Sequence, residues 1–238
     1  MKRVAIVQSC YLPWKGFFDL IHRVDEFILY DDVQFTRRDW RNRNRLKGPD
    51  GPQWITVPVK VKGRFLQRIR DTEVMEGGWA EKHWQTIHHF YARAPFFAEV
   101  GPRLRELYER AERETHLSAV NRLFLEAICS WLGIGTRLRA SMEFPLVDGK
   151  SERLLDLCRQ VGADEYLSGP AARDYLDEGL FARAGVRVSW MDYHGYPEYR
   201  QLHAPPFVHE VSIVDLLCNE GLAAAPRFML SFSGPGHG

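Results

Sequence analysis

The sequence predicts an α/β protein with a mainly parallel sheet, a β-hairpin and a helical insertion, and three observations carry that prediction. Within the first thirty residues an apolar run, a turn, an amphipathic run and a second apolar run follow one another. That is the smallest βαβ crossover, a unit that is almost always right-handed. A long stretch from Trp79 to about Trp131 then has helical periodicity, and beyond it short apolar runs again alternate with helical segments. At 238 residues, 45% apolar and 26% charged, the chain has the size and composition of a globular protein with a substantial core.

Taken in order, Val4 to Val7 reads as a buried strand, Phe17 to Ile21 as a helix, and Phe27 to Tyr30 as a second buried strand. The turn chemistry of Gly48-Pro49-Asp50-Gly51-Pro52 predicts a hairpin joining Asn44–Lys47 to Trp54–Val59, and Pro58 argues for an edge or a strand end. Ile69 to Glu73 reads as another short strand. Trp84, Ile87, Phe90 and Tyr91 share one helical face, and after Pro95 apolar residues recur at helical spacing, which predicts two or three helices. Thr136 to Ser141 reads as a strand and Ser151 to Val161 as a helix capped by Ser151. Glu165 to Leu167 is a short strand, and Ser168-Gly169-Pro170 opens a helix from Ala171 to Leu176. Val186 to Met191 is the last strand, and Ser212 caps a late helix. Residues 1–225 read as one domain with the insertion at about 79–131, and 226–238 read as a loose tail.

Net charge is about +1, so no global field draws the chain to nucleic acid or membrane, and an electropositive site must be local. The N-terminal apolar run turns polar at Gln8, too short for a signal peptide, and no run has the length of a transmembrane helix. Cys10, Cys129, Cys158 and Cys218 are scattered without CxxC spacing, which suits reduced thiols in the cytoplasm.

The densest chemistry lies from Asp31 to Lys47, where two carboxylates end a strand and five arginines follow around Trp40. In open α/β sheets ligands sit beyond the carboxyl ends of the strands, which places Gln8 to Trp14 and Asp31 to Gln34 at one crevice. Adjacent strand residues face opposite ways, so one of Asp31 and Asp32 should enter it, as a base or as a holder of a ligand amine or hydroxyl. The plainer reading is that one caps a turn and both are solvated. Alternation should put Asn42 and Asn44 on one face and Arg41, Arg43 and Arg45 on the other. An arginine row suits phosphate or carboxylate, and arginines beside an aromatic also suit RNA, although charge runs are often only solvated faces. Ser168-Gly169 before a helix, with Arg173 one turn inside, suggests an anion site or an ordinary helix cap. His194 follows a strand at the carboxyl edge and is a better acid–base candidate than His83, His88 or His89 on a helix. Too few carboxylates lie close together for a metal, and none is expected.

These segments resemble the WbqC-like protein family of bacteria. The likeness is carried by Gln8 with Tyr11-Leu12-Pro13-Trp14 and Gly16-Phe17-Phe18-Asp19, by Asp31-Asp32-Val33-Gln34-Phe35, and by Asp39-Trp40-Arg41-Asn42-Arg43-Asn44. Later segments add Tyr166-Leu167-Ser168-Gly169, Pro197-Glu198-Tyr199 with Gln201, and Ser212 to Leu217. The family usually has Gln-Pro before the tyrosine where this chain has Ser9-Cys10, which makes Cys10 a peculiarity of this sequence. The resemblance implies a biosynthetic transferase in surface-polysaccharide (O-antigen) and related pathways, of a glycine (aminoacyl) transferase kind. The opening strand, proline turn and helix are also similar to the nucleotidylyltransferase and class I synthetase superfamily, which implies a Rossmann-like (HUP-like) sheet. That superfamily has a histidine where this chain has Phe17, so nucleotidylyl transfer is doubtful.

The expected activity is therefore transfer of a glycyl-like aminoacyl group to a sugar-containing or amine acceptor. A nucleotide or an aminoacyl-tRNA would be the donor, and no other cofactor is expected. Asp31 or Asp32, with His194, would be catalytic. Tyr11, Trp14 and Trp40 would stack on a sugar or base, while Gln8, Gln34, Asn42 and Asn44 would line the site. Arg41, Arg43, Arg173 and the Ser168-Gly169 turn would hold anionic groups. An ATP-dependent ligase or nucleotidylyltransferase, or a non-catalytic binding protein of the same pathway, are the alternatives.

Overall fold

The computed structural model describes residues 1–232. Five parallel strands form the central sheet: β1 (Arg3–Val7), β2 (Glu26–Leu29), β5 (Arg137–Ala140), β6 (Glu165–Ser168) and β7 (Arg187–Trp190). Their spatial order is β5-β2-β1-β6-β7. In order of appearance that is 3-2-1-4-5, the doubly wound order, so the direction of winding reverses between β1 and β6. The fold is Rossmann-like, as the sequence predicts. Register is set by pairs such as Val4↔Glu26 and Ile6↔Ile28, and by Val4↔Tyr166 on the other side of β1.

Burial on both faces explains why β1 and β2 read as unbroken apolar runs. One face is covered by α1 (Lys15–His22), by the inserted helices α2 (Trp79–Tyr91), α3 (Phe97–Ala111) and α4 (Leu117–Trp131), and by α7 (Ile213–Ala224). The other is covered by α5 (Ser151–Gln160) and α6 (Glu178–Arg183). The hairpin of β3 (Arg43–Gly48) and β4 (Gly51–Thr56) forms a separate two-stranded sheet within the long crossover from β2 to β5. Its turn is tight, with Gly48 opposite Gly51 and a left-handed φ of 100° at Gly51, a conformation glycine adopts without strain. Ser212 caps α7, accepting the Val214 N–H, and its own N–H donates to the Arg45 carbonyl at 2.8 Å, which ties the hairpin to that helix.

Several expectations fail locally. Ile69–Asp71 is a 3-10 turn rather than a strand, and only isolated bridges, such as Glu73 with His116, follow it. β4 starts at Gly51 and stops at Thr56, so Pro58 lies beyond its end. Ser151 is the first helical residue of α5 rather than its cap; its hydroxyl accepts the Asp177 N–H at 3.0 Å. The Pro170–Asp174 segment winds into a 3-10 turn of five residues and not a helix. The true helix there is α6, capped by Asp177. After α7 the chain packs instead of trailing away: Met229 is fully buried and the Ser231 N–H donates to Asp19 at 2.7 Å. Residues 233–238 of the expected tail lie outside the described residues. No helix among the described residues is long and apolar enough to cross a membrane. All four cysteines are free and buried.

Candidate functional site

β1 delivers the chain at Val7 into a turn, residues 8–14, that is fastened from every side. The Ser9 N–H donates to Asp31 at 2.8 Å, and the Tyr11 N–H to the Trp40 carbonyl at 3.1 Å. The Asn44 amide donates to the Tyr11 carbonyl at 3.2 Å, and the Ile213 N–H to the Pro13 carbonyl at 2.9 Å. Arg41 donates to the Gln8 carbonyl at 3.1 Å and to the Cys10 sulfur at 3.0 Å. Within the turn Leu12 holds a left-handed φ of 42°, a conformation that persists only when its surroundings over-determine it.

This turn forms one wall of a cleft of about 760 Å³, a typical size for a small-molecule site. Val7, Cys10, Pro13, Trp14 and Phe17 line the side from β1 and α1; Trp40, Arg41 and Asn44 come from the hairpin arm. The opposite wall is the irregular strap that follows β7, with Tyr193, His194, Gly195, Tyr196 and Glu198, and it closes with His209 and Glu210 before α7. The cleft therefore opens beyond the carboxyl ends of the strands. It adjoins the reversal point, because a Cβ built on Gly169 at the end of β6 would lie 3.9 Å from the Tyr193 hydroxyl.

The walls are mostly aromatic. Trp14 meets Tyr193 and Tyr196 with ring centroids 5.3 and 5.4 Å apart. Tyr196 is fixed by its hydroxyl, which donates to the buried Asp19 at 2.6 Å. Behind it Lys15 donates to the Pro197 carbonyl at 2.6 Å, and its ammonium lies 5.2 Å from the Tyr199 ring centroid. Burial lowers Lys15 to about 8, against the pull of Glu198 and Asp215. The strap is pinned further by Tyr199, whose hydroxyl donates to Asp215 at 2.6 Å, and by Gln201, which joins Asp215 to Lys47 at 2.8 Å on each side. Burial and the Lys15 charge both hold the His209 imidazole below its ordinary range. Burial raises the Cys10 thiol to about 11, against the Arg41 guanidinium, so it stands as a thiol.

Of the residues picked from sequence, Trp14, Trp40, Arg41, Asn44 and His194 meet in this cleft. His194 is at its mouth, exposed, with Nδ1 2.6 Å from Asp192. Gln8 contributes its backbone carbonyl to Arg41. The two acids part company. Asp31 is buried against Ser9, and burial raises its pKa over the opposing effects of the Ser9 bonds and Arg41. Asp32 accepts the Ser141 hydroxyl at 2.7 Å and pairs with Arg70 at 2.6 Å. Neither carboxylate lines the cleft.

Tyr11 does not reach the cleft either: its hydroxyl is 2.6 Å from that of Tyr108 and 2.9 Å from His83 Nδ1, deep in the core. Asn42 turns inward as alternation predicts, donating to the Val57 carbonyl at 2.9 Å, while Arg43 faces out over Trp54. Gln34 donates to the Phe65 carbonyl at 2.8 Å, away from the cleft. Ser168 is buried beside the Tyr166 hydroxyl, and Arg173 lies over Trp190, 5.2 Å from its ring centroid. With only a 3-10 turn after Gly169, the anion-binding helix end expected there is not formed. Sequence reading missed Tyr193, Tyr196, Glu198, His209 and Glu210. The density of tyrosines around Pro197 was the available signal for the first three; nothing marks His209 and Glu210 before they are folded. No group of three or more His, Cys, Asp or Glu side chains among the described residues converges as a metal site.

The family model described as the WbqC-like protein family matches residues 8–226, which takes in every residue lining the cleft except Val7. The chain is also 55% identical to a protein of Mycobacterium tuberculosis (strain ATCC 25618 / H37Rv) named Uncharacterized protein Rv1507c, over 229 residues that cover 96% of this chain and 98% of that one. No solved structure matches. By this coverage the chain belongs to the WbqC-like protein family.

Proposed function

We propose that the protein is a biosynthetic transferase that holds a sugar-containing or amine acceptor in the aromatic cleft and passes to it a glycyl-like aminoacyl group. The observation that carries this reading is the cleft itself, walled by Trp14, Tyr193, Tyr196 and Trp40 and placed beyond the strand ends at the reversal of strand order. Flat aromatic walls with a few polar groups suit the apolar face of a sugar or base, and membership of the family supports a biosynthetic role. The acceptor nitrogen or oxygen attacks the carbonyl carbon of the donor ester, a new C–N or C–O bond forms, and the ester C–O bond breaks. The proton released by the acceptor passes to His209, kept neutral by burial and Lys15, and on to the departing hydroxyl. Arg41, directed at the cleft from the hairpin, faces the charge that develops on the carbonyl oxygen.

The test is acyl transfer from glycyl-tRNA to a panel of amino sugars and nucleotide-linked sugars with purified protein. Transfer that falls at least about a hundredfold in His209→Gln supports the assignment. The strand order also favours a nucleotide-dependent ligase, against which stands Phe17, packed on Phe27 at a centroid distance of 5.5 Å where that chemistry uses a histidine. Pyrophosphate release from ATP and an amino acid, without transfer from charged tRNA, would replace the first reading by this one.

A further inference from the structure

Beside the cleft the hairpin arm carries a track of tryptophans and guanidiniums in ring contact, of which the chemistry above uses only Trp40 and Arg41. The Arg43 guanidinium lies 4.0 Å from the Trp54 ring centroid, Trp54 is 5.2 Å from Trp40, and Arg45 sits 5.7 Å from both rings. Arg43 also donates to the Arg38 carbonyl, and Arg37 lies 5.9 Å from the exposed ring of Phe65. Trp40 and Trp54 are 39% and 45% exposed, a large apolar area to leave in water beside one another. At its inner end the track meets the cleft, because Trp40, Arg41 and Glu210 belong to both.

Charge separates this surface from an ordinary solvated face. Arg41 and Arg45 are paired with Asp39 and Glu210, at 3.6 and 2.7 Å. Arg37, Arg38 and Arg43 have no carboxylate partner among the described residues, and the buried Arg43 Nε has no hydrogen-bond partner among them. Beyond the Asp39 and Glu210 carboxylates, which Arg41 and Arg45 occupy, the track offers π faces and N–H donors, with three positive charges that have no carboxylate partner among the described residues. Donors alone match phosphate oxygens, which only accept, and match poorly the hydroxyls of a neutral glycan, which need acceptors as well.

We propose that this track binds single-stranded nucleic acid, with bases stacking on Trp54 and Trp40 and phosphates meeting Arg37, Arg38 and Arg43, so that one end of the strand is led into the cleft. It deepens the transfer reading by naming the polymer that carries the donor, and rests on that reading only for this role; binding to the track is tested without it.

The experiment is fluorescence anisotropy of a labelled 12-nucleotide RNA, and of DNA of the same sequence, against the full chain between 50 and 200 mM KCl. Three phosphate contacts predict a slope of log affinity against log salt of about −2. Trp54→Ala should weaken binding roughly tenfold and Trp54→Phe should restore most of it. The pair Arg37→Glu and Arg38→Glu should flatten the slope to about −0.7 or less, a readout that holds even if Trp54→Ala folds poorly. Trp14→Ala, in the cleft, should lose acceptor binding and leave the oligonucleotide affinity unchanged, so the two readings can fail separately. Binding of either strand with these responses supports the track, and tighter binding of RNA than of DNA assigns it to RNA. Absence of saturable binding at 50 mM KCl, binding indifferent to Trp54→Ala and to the arginine pair, or displacement of the oligonucleotide by an equal mass of acidic polysaccharide would overturn it.

Discussion

Acidification should loosen the core behind the turn after β1 through one buried histidine. His83 is held between the Tyr11 hydroxyl, 2.9 Å from its Nδ1, and the Thr56 carbonyl, 3.2 Å from its Nε2. That arrangement fixes the neutral tautomer, with Nε2 donating to Thr56 and Nδ1 accepting from Tyr11, which in turn accepts from Tyr108. A protonated ring would force the Tyr11 and Tyr108 hydroxyls to reverse their hydrogen bonds, and burial lowers His83 from 6.5 to about 4. Because the folded value lies below the unfolded one, the unfolded chain takes up the extra proton first. The contribution of neutral His83 is complete above pH 6.5 and is lost as the pH falls toward 4. At about 1.4 kcal/mol per pH unit, the 1.5 units from 6.5 down to pH 5 remove about 2 kcal/mol. Asp31 and Asp215, raised by burial, act with the opposite sign, so the comparison must be with a variant that keeps them. His83→Gln supplies an amide oxygen for Tyr11 and an amide N–H for Thr56 and does not titrate. Urea unfolding of both proteins at pH 7 and pH 5 should show wild type losing about 2 kcal/mol more than the variant. Parallel losses, equal within about 0.5 kcal/mol, would refute the assignment of a neutral, obligatorily unprotonated His83.

Three further outcomes follow from the packing around the cleft. A Cβ at Gly16 would lie 2.3 Å from the Trp14 indole, so Gly16→Ala must swing that ring out of its place against Tyr193 and Tyr196. Ligand affinity by tryptophan fluorescence should drop at least about tenfold, equivalent to roughly 1.4 kcal/mol of lost contact, and an unchanged affinity would remove Trp14 from the site. Gln201→Leu leaves Lys47 and Asp215 buried without the amide that joins them, and should cost about 3–5 kcal/mol in thermal or urea unfolding. Asp31→Asn keeps an oxygen for the Ser9 N–H, so turnover should stay within about threefold of wild type, about 0.7 kcal/mol in barrier. A loss of a hundredfold or more would return that carboxylate to the chemistry.

What the sequence makes legible is what depends on short-range period. The apolar runs of β1 and β2, the turn between Gly48 and Gly51, and the inward asparagines against outward arginines of β3 all follow from a repeat of two or from turn chemistry. Asp31 and Asp32 lie in the turn after β2, beyond the reach of that period, and neither enters the cleft to which alternation assigned one of them. Tyr11 was misplaced because its partners His83 and Tyr108 are 72 and 97 residues away, and no local pattern marks a hydroxyl as buried. The strap after β7 has no period to read. Its course is imposed by Asp19 and Lys15 of α1, Lys47 of β3 and Asp215 of α7. Ser168 to Arg173 reads as a helix start because its residue types suit one, and the chain instead spends them on a 3-10 turn that reaches Asp177 and α6.

The run of acids and arginines from Asp31 to Lys47 is therefore three structures in one segment. Asp31, Asn42 and Lys47 face inward and build the site without entering it, and Asn44 lines the cleft while bonding to the turn behind it: each bonds to backbone or to a buried side chain. Arg41 is the arginine of this arm that lines the cleft, beside Trp40 and Asn44, and Arg37, Arg38 and Arg43 stay outside it. Of the outer charges Arg43 is held in β3, and the bonds from Tyr11 to Trp40 and from Ser212 to Arg45 fix the chain on either side of it. The inward-facing shell holds Leu12 in its left-handed conformation. Such pre-organisation is what a transfer site requires, since groups already in place when a substrate arrives need no reorganisation as charge develops. Loosening it at His83 or Gln201 should therefore slow turnover before it unfolds the chain.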